Sequence, residues 1–395
     1  MFLNGGFGAG GDTTYLFLLA GELSRRGVAC SICSFDRNAP FANILFNLGI
    51  KVSVYDPRQL IFEEKIEKAL VDIAAFKPST VVANMDNTSY EVLRYIPSGV
   101  NRVGVCHAND PNTYTIFSKY AEWLDQLAGV SPHIVTQLAV LPEFQYKPVH
   151  YLSSGVQVPK ILPQRNYFSE SPLRIVYFGR LEQEAKRVRL FPQILQQLID
   201  SGIPFQWTIA GDGSERAFLE ARMKSASPTQ QVCFVGVIPY NELPELLSNH
   251  DVYLLTSEFE GGPLSLLEAM AYGVVPVVSD LPSCIRQAVD SETGFLVDPN
   301  DIDGYAAAII YLHNHREELA EKAPHARERI LAHFSAQAWA QQWLDKVILS
   351  QPDTGIKWPS KYKIEPPLGM EKSLLFSAPG RLFRKLRRTL ALPAA

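Results

Sequence analysis

Short β-branched and apolar runs alternate with amphipathic stretches along most of the chain. In the first half, "VACSICSF" (28–35), "KVSVY" (51–55), "STVVANM" (79–85) and "NRVGVCH" (101–107) are strand-like. Helical periodicity fills the gaps between them. It is clearest in "TTYLFLLAGELSRRG" (13–27), where Gly27 supplies a C-terminal stop. After about residue 160 the alternation restarts with "LRIVYFG" (173–179), "FQWTIAG" (205–211), "QVCFVG" (231–236), "DVYLLTS" (251–257) and "VVPVVSD" (274–280). Strands separated by helices predict parallel sheets, hence an α/β protein.

The restart divides the chain. An N-terminal Rossmann-like domain is expected over 1–157, then a polar, proline-containing linker over 158–172, then a second such domain over 173–350. Helical stretches near 302–350 close the second domain. Residues 351–395 form a proline-broken, irregular segment and a basic tail. A length of 395 residues agrees with two cores. Two doubly wound domains leave a cleft, faced from both sides by the carboxyl ends of their strands, where ligands bind.

The chain opens on "NGGFGAGGDTTYL" (4–16), in which Gly6, Gly8 and Gly11 spell G-x-G-x-x-G. Asp36 stands about where an acidic ribose ligand of a dinucleotide site falls. This feature admits an NAD(P)-dependent oxidoreductase. Only Met1 to Asn4 precede the glycines, so the first strand reads as clipped, with a few native residues expected upstream.

Charge narrows the class. A net charge of −4 argues against nucleic acid as the main partner. The sequence "GRLFRKLRRTLAL" gathers Arg381, Arg384, Lys385, Arg387 and Arg388 with no acid between them. Leu382, Phe383, Leu386 and Leu390 recur at helical spacing, which predicts a basic amphipathic helix able to dock on an anionic membrane surface through 381–392. The five cysteines, odd in number and set in apolar runs, read as reduced thiols of a cytoplasmic protein. Cys30 and Cys33 lie three apart on a strand and so point to opposite faces. No signal peptide and no apolar run of about 18 residues is visible.

The most informative segment is "TSEFEGGPLSLLEAMAYGVVPVVSD" (256–280). A strand leads into an acidic glycine turn, and a helix is expected from Pro263 to Tyr272, with proline in its first turn. The free amides of Leu264 and Ser265, with the helix dipole, form an anion site. Gly261 and Gly262 let a phosphate approach the backbone. Glu260 precedes the helix and Glu268 lies within it. Carboxylates accept hydrogen bonds from hydroxyls and repel phosphate. Hydroxyl acceptors beside a phosphate cradle describe a nucleotide-sugar pocket.

Glu260-x7-Glu268 with "GGPLSLLEAMAYGVVPVV" resembles the retaining GT-B glycosyltransferases, most closely glycosyltransferase family 4. The other blocks agree in order. "YFGRLEQEAK" resembles that family's Gly-Arg-Leu with a later lysine, "IAGDGSERAFLE" its Gly-Asp-Gly segment, and "GFLVDPND" the block after the paired glutamates. The resemblance covers about 173–345 strongly and the first 157 residues loosely. It implies a GT-B fold and transfer of a hexosyl group from a nucleotide diphosphate sugar to a glycan or lipid-linked glycan, in bacterial surface polysaccharide or lipopolysaccharide synthesis. A catalytically silent glycan- or nucleotide-binding relative is the other reading this fold admits.

By position, the resemblance implies that Arg180 and Lys186 neutralise the donor diphosphate and that Glu268 accepts the ribose hydroxyls. Glu260 would face the donor sugar, as would His107 of "GVCHAND". Backbone groups of Gly262, Pro263, Leu264 and Ser265 would hold sugar and phosphate, and Val237 and Ile238 would lie near the base. Gly10 and Gly11 would approach the diphosphate. The chain departs from the family pattern at Arg187, where glycine usually follows the lysine, and at Asp12. No D-x-D motif ends a strand and no His/Cys/Asp cluster has metal-ligand spacing. Protein cations can replace a divalent ion, so neither a metal nor a further cofactor is expected.

Overall fold

The computed structural model describes residues 1–5, 11–36, 41–84, 86–168, 171–226, 231–348, 356–359 and 361–369. Gly6, Gly8 and Gly10 of the opening loop and the basic tail 381–392 lie outside the described residues.

Two compact units emerge. The first comprises Met1–Leu152 and the chain from Ala340 onward; the second is Ser153–Trp339. The first holds seven strands: β1 (Phe2–Asn4), β2 (Ser31–Ser34), β3 (Lys51–Val54), β4 (Thr80–Asn84), β5 (Asn101–Cys106), β6 (Gln126–Gly129) and β7 (Val149–Tyr151). Their order is β3-β2-β1-β4-β5-β6-β7, all parallel. The second holds β8 (Leu173–Phe178), β9 (Phe205–Ala210), β10 (Val232–Gly236), β11 (Val252–Leu255), β12 (Val275–Ser279) and β13 (Phe295–Val297). Their order is β10-β9-β8-β11-β12-β13, again all parallel.

Both sheets are Rossmann-like. In each, the strand order reverses at one place, between β1 and β4 and between β8 and β11. Ligands bind at the carboxyl ends of strands beside such switch points. The central strands are buried on both faces, which is why they read as continuous apolar runs. Gly27 closes the helix Gly11–Arg25 at φ 83°, the left-handed stop that its sequence predicts. All five cysteines are free thiols, and only Cys233 is exposed.

The domain boundaries differ from those expected. The stretch 153–157 belongs with the second unit: Val156 bridges Ser335, and a Cβ at Gly155 would come within 2.6 Å of the Trp339 ring. Residues 158–168 are packed rather than free, since Arg165 donates to the Leu247 carbonyl at 2.6 Å and Arg327 to that of Pro159 at 2.7 Å. At the far end, residues 340–348 return to the first unit. Trp343 and Val347 are buried, Asn101 Nδ2 donates to the Val347 carbonyl at 2.9 Å, and Arg26 donates to Gln341 at 2.6 Å. Burial of Trp343 sets the boundary, which hydropathy alone does not show.

The proline-broken segment has neither helix nor strand over 361–369, yet it is tied down. Arg94 pairs with buried Glu91 and reaches Glu365 at 3.3 Å and the Pro366 carbonyl at 3.1 Å. The Glu365 amide donates to Tyr95 Oη at 3.0 Å, and the Leu368 amide to Glu91 at 3.3 Å.

Candidate functional site

In the second unit Arg180 and Lys186 follow β8, Glu260 and Glu268 follow β11, and Val237 and Ile238 follow the edge strand β10. The chain leaves β11 through Thr256–Gly262 and enters a helix, Leu264–Ala271. Pro263 is the N-cap, with ψ 101°, rather than a residue of the first turn. Its extended backbone lets its carbonyl accept from the Leu266 and Leu267 amides at 3.1 and 3.3 Å. The amides of Leu264 and Ser265 therefore precede the helical ladder. Gly262 and Ser265 are half-buried, and Ser265 Oγ shares a 2.7 Å hydrogen bond with Tyr253 Oη.

Glu268 follows one turn later. Its side chain is buried to 8% exposure, and its Oε1 has no hydrogen-bond partner. Burial pushes its carboxyl up to about 8. Tyr240 and Tyr272 stand close enough for burial and the Glu268 charge together to raise their hydroxyls. A buried carboxylate oxygen without a partner is costly and marks a place built for a hydrogen-bond donor.

Lys186 ends the short helix Gln183–Lys186. Its Nζ lies 2.5 Å from Glu260 Oε1, with both side chains largely buried at 14% and 10% exposure. Ser257 Oγ donates to the same oxygen at 2.7 Å. Thr256 Oγ1 donates to the Lys186 carbonyl at 2.9 Å, and the Glu258 amide to that of Ala185 at 2.8 Å. These bonds zip the lysine turn onto the acidic turn. The Lys186–Glu260 pair escapes sequence reasoning, because residues 74 apart reveal no pairing by pattern, and Ser257, three residues before Glu260, belongs to none of the motifs.

Arg187 occupies the left-handed region at φ 50°, ψ 37°. This gives the departure at that position a physical account: the backbone there favours glycine, and an ordinary side chain costs about 1 kcal/mol.

Arg180 is 63% exposed and pairs with Glu182 at 3.1 Å. Its loop is held from below. The Gly179 amide donates to the Ala210 carbonyl at 3.0 Å and the Leu181 amide to that of Asp212 at 2.9 Å. Gly211, at φ 135°, allows this approach, because a Cβ there would sit 1.9 Å from the Gly179 oxygen. Asp212 shapes the turn by accepting from the Gly213 amide at 2.8 Å. Val237 is 56% exposed and Ile238 half-buried, both in the loop after β10.

In the first unit, His107 follows β5. Its Nε2 lies 2.5 Å from Asn84 Oδ1, and Asn84 Nδ2 donates to Asn4 Oδ1 at 2.9 Å. With the amide so oriented, Nε2 is the donor and Nδ1 carries the lone pair. Tyr15 packs edge-on against the imidazole at 4.6 Å, and burial pushes the ring down to about 3. Gly11 opens the helix Gly11–Arg25; Gly10 lies outside the described residues. Among the described residues, no group of three His, Cys, Asp or Glu is placed to hold a metal ion. No helix among them is long and apolar enough to cross a membrane.

Residues 160–329 match the family model for glycosyl transferases group 1. The chain is 31% identical over 191 residues to WcaL of Escherichia coli (strain K12), which carries the name of a colanic acid biosynthesis glycosyltransferase. That stretch is 46% of this chain and 47% of WcaL. It is 33% identical over 140 residues to a lipopolysaccharide 1,6-galactosyltransferase of Salmonella typhimurium (strain LT2), covering 34% of this chain and 38% of that protein. The chain thus spans about half or less of the length of these curated relatives. Among solved structures, a point mutant of S. aureus TarM, in complex with fondaparinux, α-GlcNAc-glycerol and UDP, superposes with a TM-score of 0.73 at 13% identity. The superposition covers 87% of this chain and 99% of TarM. The fold is therefore that of the GT-B proteins, two parallel-sheet Rossmann-like domains.

Proposed function

We propose that the protein is a retaining, metal-independent glycosyltransferase of family 4. It moves a hexosyl group from a nucleotide diphosphate sugar to a glycan or lipid-linked glycan in bacterial surface polysaccharide or lipopolysaccharide synthesis. The observation that carries this reading is Glu268: a buried carboxylate with an unpartnered oxygen, one turn into a helix whose first amides precede its own ladder. A nucleotide sugar supplies what this helix lacks, ribose hydroxyls for the Glu268 carboxyl and phosphate oxygens for the amides at its start. The names of WcaL and the Salmonella galactosyltransferase support the pathway class, and the UDP complex of TarM supports a nucleoside diphosphate.

In this reading Arg180 and Lys186 stabilise the charge that grows on the diphosphate as the bond from the anomeric carbon breaks. The nucleoside diphosphate leaves with the electron pair through an oxocarbenium-like transition state. The acceptor hydroxyl bonds to the same face of that carbon, and its proton passes to a diphosphate oxygen. Glu260 and His107 serve the donor sugar, Gly262 to Ser265 its hydroxyls and phosphate, Val237 and Ile238 the base. Gly10 and Gly11 serve the diphosphate. Arg180 and Lys186, each paired with a carboxylate in the structure, take the role of a divalent ion as the diphosphate competes with those partners. The protein is cytoplasmic, with its basic tail at 381–392 on the inner membrane surface.

A thermal-shift panel of UDP, GDP, ADP and NAD(H) tests the class. Stabilisation by one nucleoside diphosphate supports transfer; stabilisation by NAD(H) alone would overturn it in favour of an oxidoreductase. Binding without turnover across a nucleotide-sugar panel would point to a silent binding protein. For the tail, co-sedimentation with anionic vesicles should be lost on removing residues 377–395.

A further inference from the structure

Arg187 is an arginine held where the backbone suits glycine, and its side chain is engaged rather than free. The guanidinium is only 17% exposed; it donates to the Pro299 carbonyl at 2.6 Å and pairs with Glu258 at 3.1 Å. Hydrogen bonds tie the loop around Pro299. Asp298 accepts from the Asn300 amide at 2.8 Å and, through its carbonyl, from the Asp301 amide at 2.9 Å, and Asp301 caps the helix Ile302–Asn314. On its own side, the Arg187 amide donates to the Gln183 carbonyl at 3.1 Å, and its carbonyl accepts from the Leu190 amide at 3.0 Å. One side chain thus joins the lysine turn, the acidic turn and a capped loop.

The geometry points to Arg187 as a positioning residue: it clamps the Lys186 turn onto the Glu258–Glu260 turn and so fixes the ammonium that meets the donor diphosphate. Two neighbouring cations, Lys186 and Arg187, each take one of two carboxylates spaced two apart on the facing turn. The outer pair, in which only Glu258 is exposed, sets the register, and the enclosed inner pair is thereby held to one partner. The left-handed backbone at Arg187 ends the short helix Gln183–Lys186, so the turn that carries Lys186 closes on the residue that clamps it. The functional half of this inference rests on the reading of Lys186 as a diphosphate ligand.

Arg187→Gly is the informative variant, because glycine is at ease at φ 50° and the change removes the clamp without adding backbone strain. The full-length variant should melt within about 3 °C of the wild type. Its backbone amides at position 187 and at Glu258 should exchange hydrogen at least about tenfold faster, and UDP, GDP or ADP, whichever the wild type binds, should bind about tenfold more weakly by calorimetry. In transfer assays KM for the donor should rise more than kcat falls. Arg187→Met, which keeps most of the stem but loses the single nitrogen that meets both Pro299 and Glu258, should behave like the glycine variant. Wild-type protection at both amides would overturn the clamp. Faster exchange with unchanged nucleotide affinity, while Lys186→Ala abolishes binding, would overturn its role in placing Lys186. If the wild type binds none of the three nucleotides, the diphosphate reading fails, and the exchange measurement still judges the clamp.

Discussion

Lys186 Nζ and Glu260 Oε1 lie 2.5 Å apart, a nearly enclosed ion pair between a candidate diphosphate cation and a candidate sugar acceptor. The lysine that would meet a diphosphate is already neutralised by a carboxylate that would repel one. Glu260→Gln therefore should free the ammonium. We expect nucleoside diphosphate to bind the variant several-fold tighter, while transfer from the sugar donor falls at least about 100-fold. Lys186→Met should lose both. Either single change leaves an uncompensated group and should cost about 1–3 kcal/mol of stability, part of which the double variant regains. Calorimetry, turnover and denaturant titration on the three variants check this; weaker diphosphate binding by Glu260→Gln would contradict it.

Glu268 makes a pH prediction of definite sign. Its folded value, about 8, lies above the ordinary carboxyl value of 4.5, and burial is the cause. Between those values the folded state holds a proton that the unfolded state releases. Stability from this group is therefore full below about pH 4.5 and falls as pH rises through 8, by at most about 1.4 kcal/mol per unit. Glu268→Gln removes the titration. The variant should gain on the wild type steadily from about pH 5 to about pH 8, and the gap should level off above that. It should also lose most transfer. Parallel stability curves across that range would show the carboxyl to be solvated.

How far the sequence revealed this site follows from which contacts are local. Strand ends of a parallel sheet all finish on one edge, so "GRL", "GDG" and Glu260-x7-Glu268 could be assigned to one edge from order alone. The turns themselves could not. The Lys186–Glu260 bond spans 74 positions, and the left-handed backbone at Arg187 has no signature in an arginine. Strands β6, β7 and β13 have only three or four residues, too few to display a period. Proline suits the first helical turn by type, whereas a ψ of 101° puts Pro263 one step earlier, at the N-cap.

His107 should remain neutral throughout the physiological range. Burial sets its value at about 3, below the ordinary 6.5, so the folded state binds fewer protons than the unfolded state between those values. The associated stability is present above pH 6.5 and is lost as pH falls toward 3, again by at most about 1.4 kcal/mol per unit. Relative to His107→Gln, the wild type should lose ground on acidification from about pH 6.5 to about pH 4.5. Imidazole nitrogen shifts should show no titration between about pH 5 and about pH 8, with the proton on the Nε2 that faces Asn84. A midpoint near 6.5 would place the ring in water.

Gly211 and Gly202 separate backbone freedom from close approach. Both have positive φ, 135° and 73°. Around a Cβ at Gly202 nothing lies within 4 Å, whereas at Gly211 it would sit 1.9 Å from the Gly179 oxygen, a backbone atom fixed in the loop that carries Arg180. Gly202→Ala should therefore cost only the conformational term, about 1 kcal/mol. Gly211→Ala adds a steric term that cannot be relieved by a rotamer, and about 3 kcal/mol or more is expected. The surplus has a functional direction: relief requires the Gly179–Leu181 backbone to move, which displaces Arg180 from its place at the end of β8. At a temperature where both variants are folded, Gly211→Ala should bind nucleoside diphosphate as weakly as Arg180→Ala, and Gly202→Ala as tightly as the wild type. Equal stability loss in the two alanine variants would mean that positive φ alone explains both glycines.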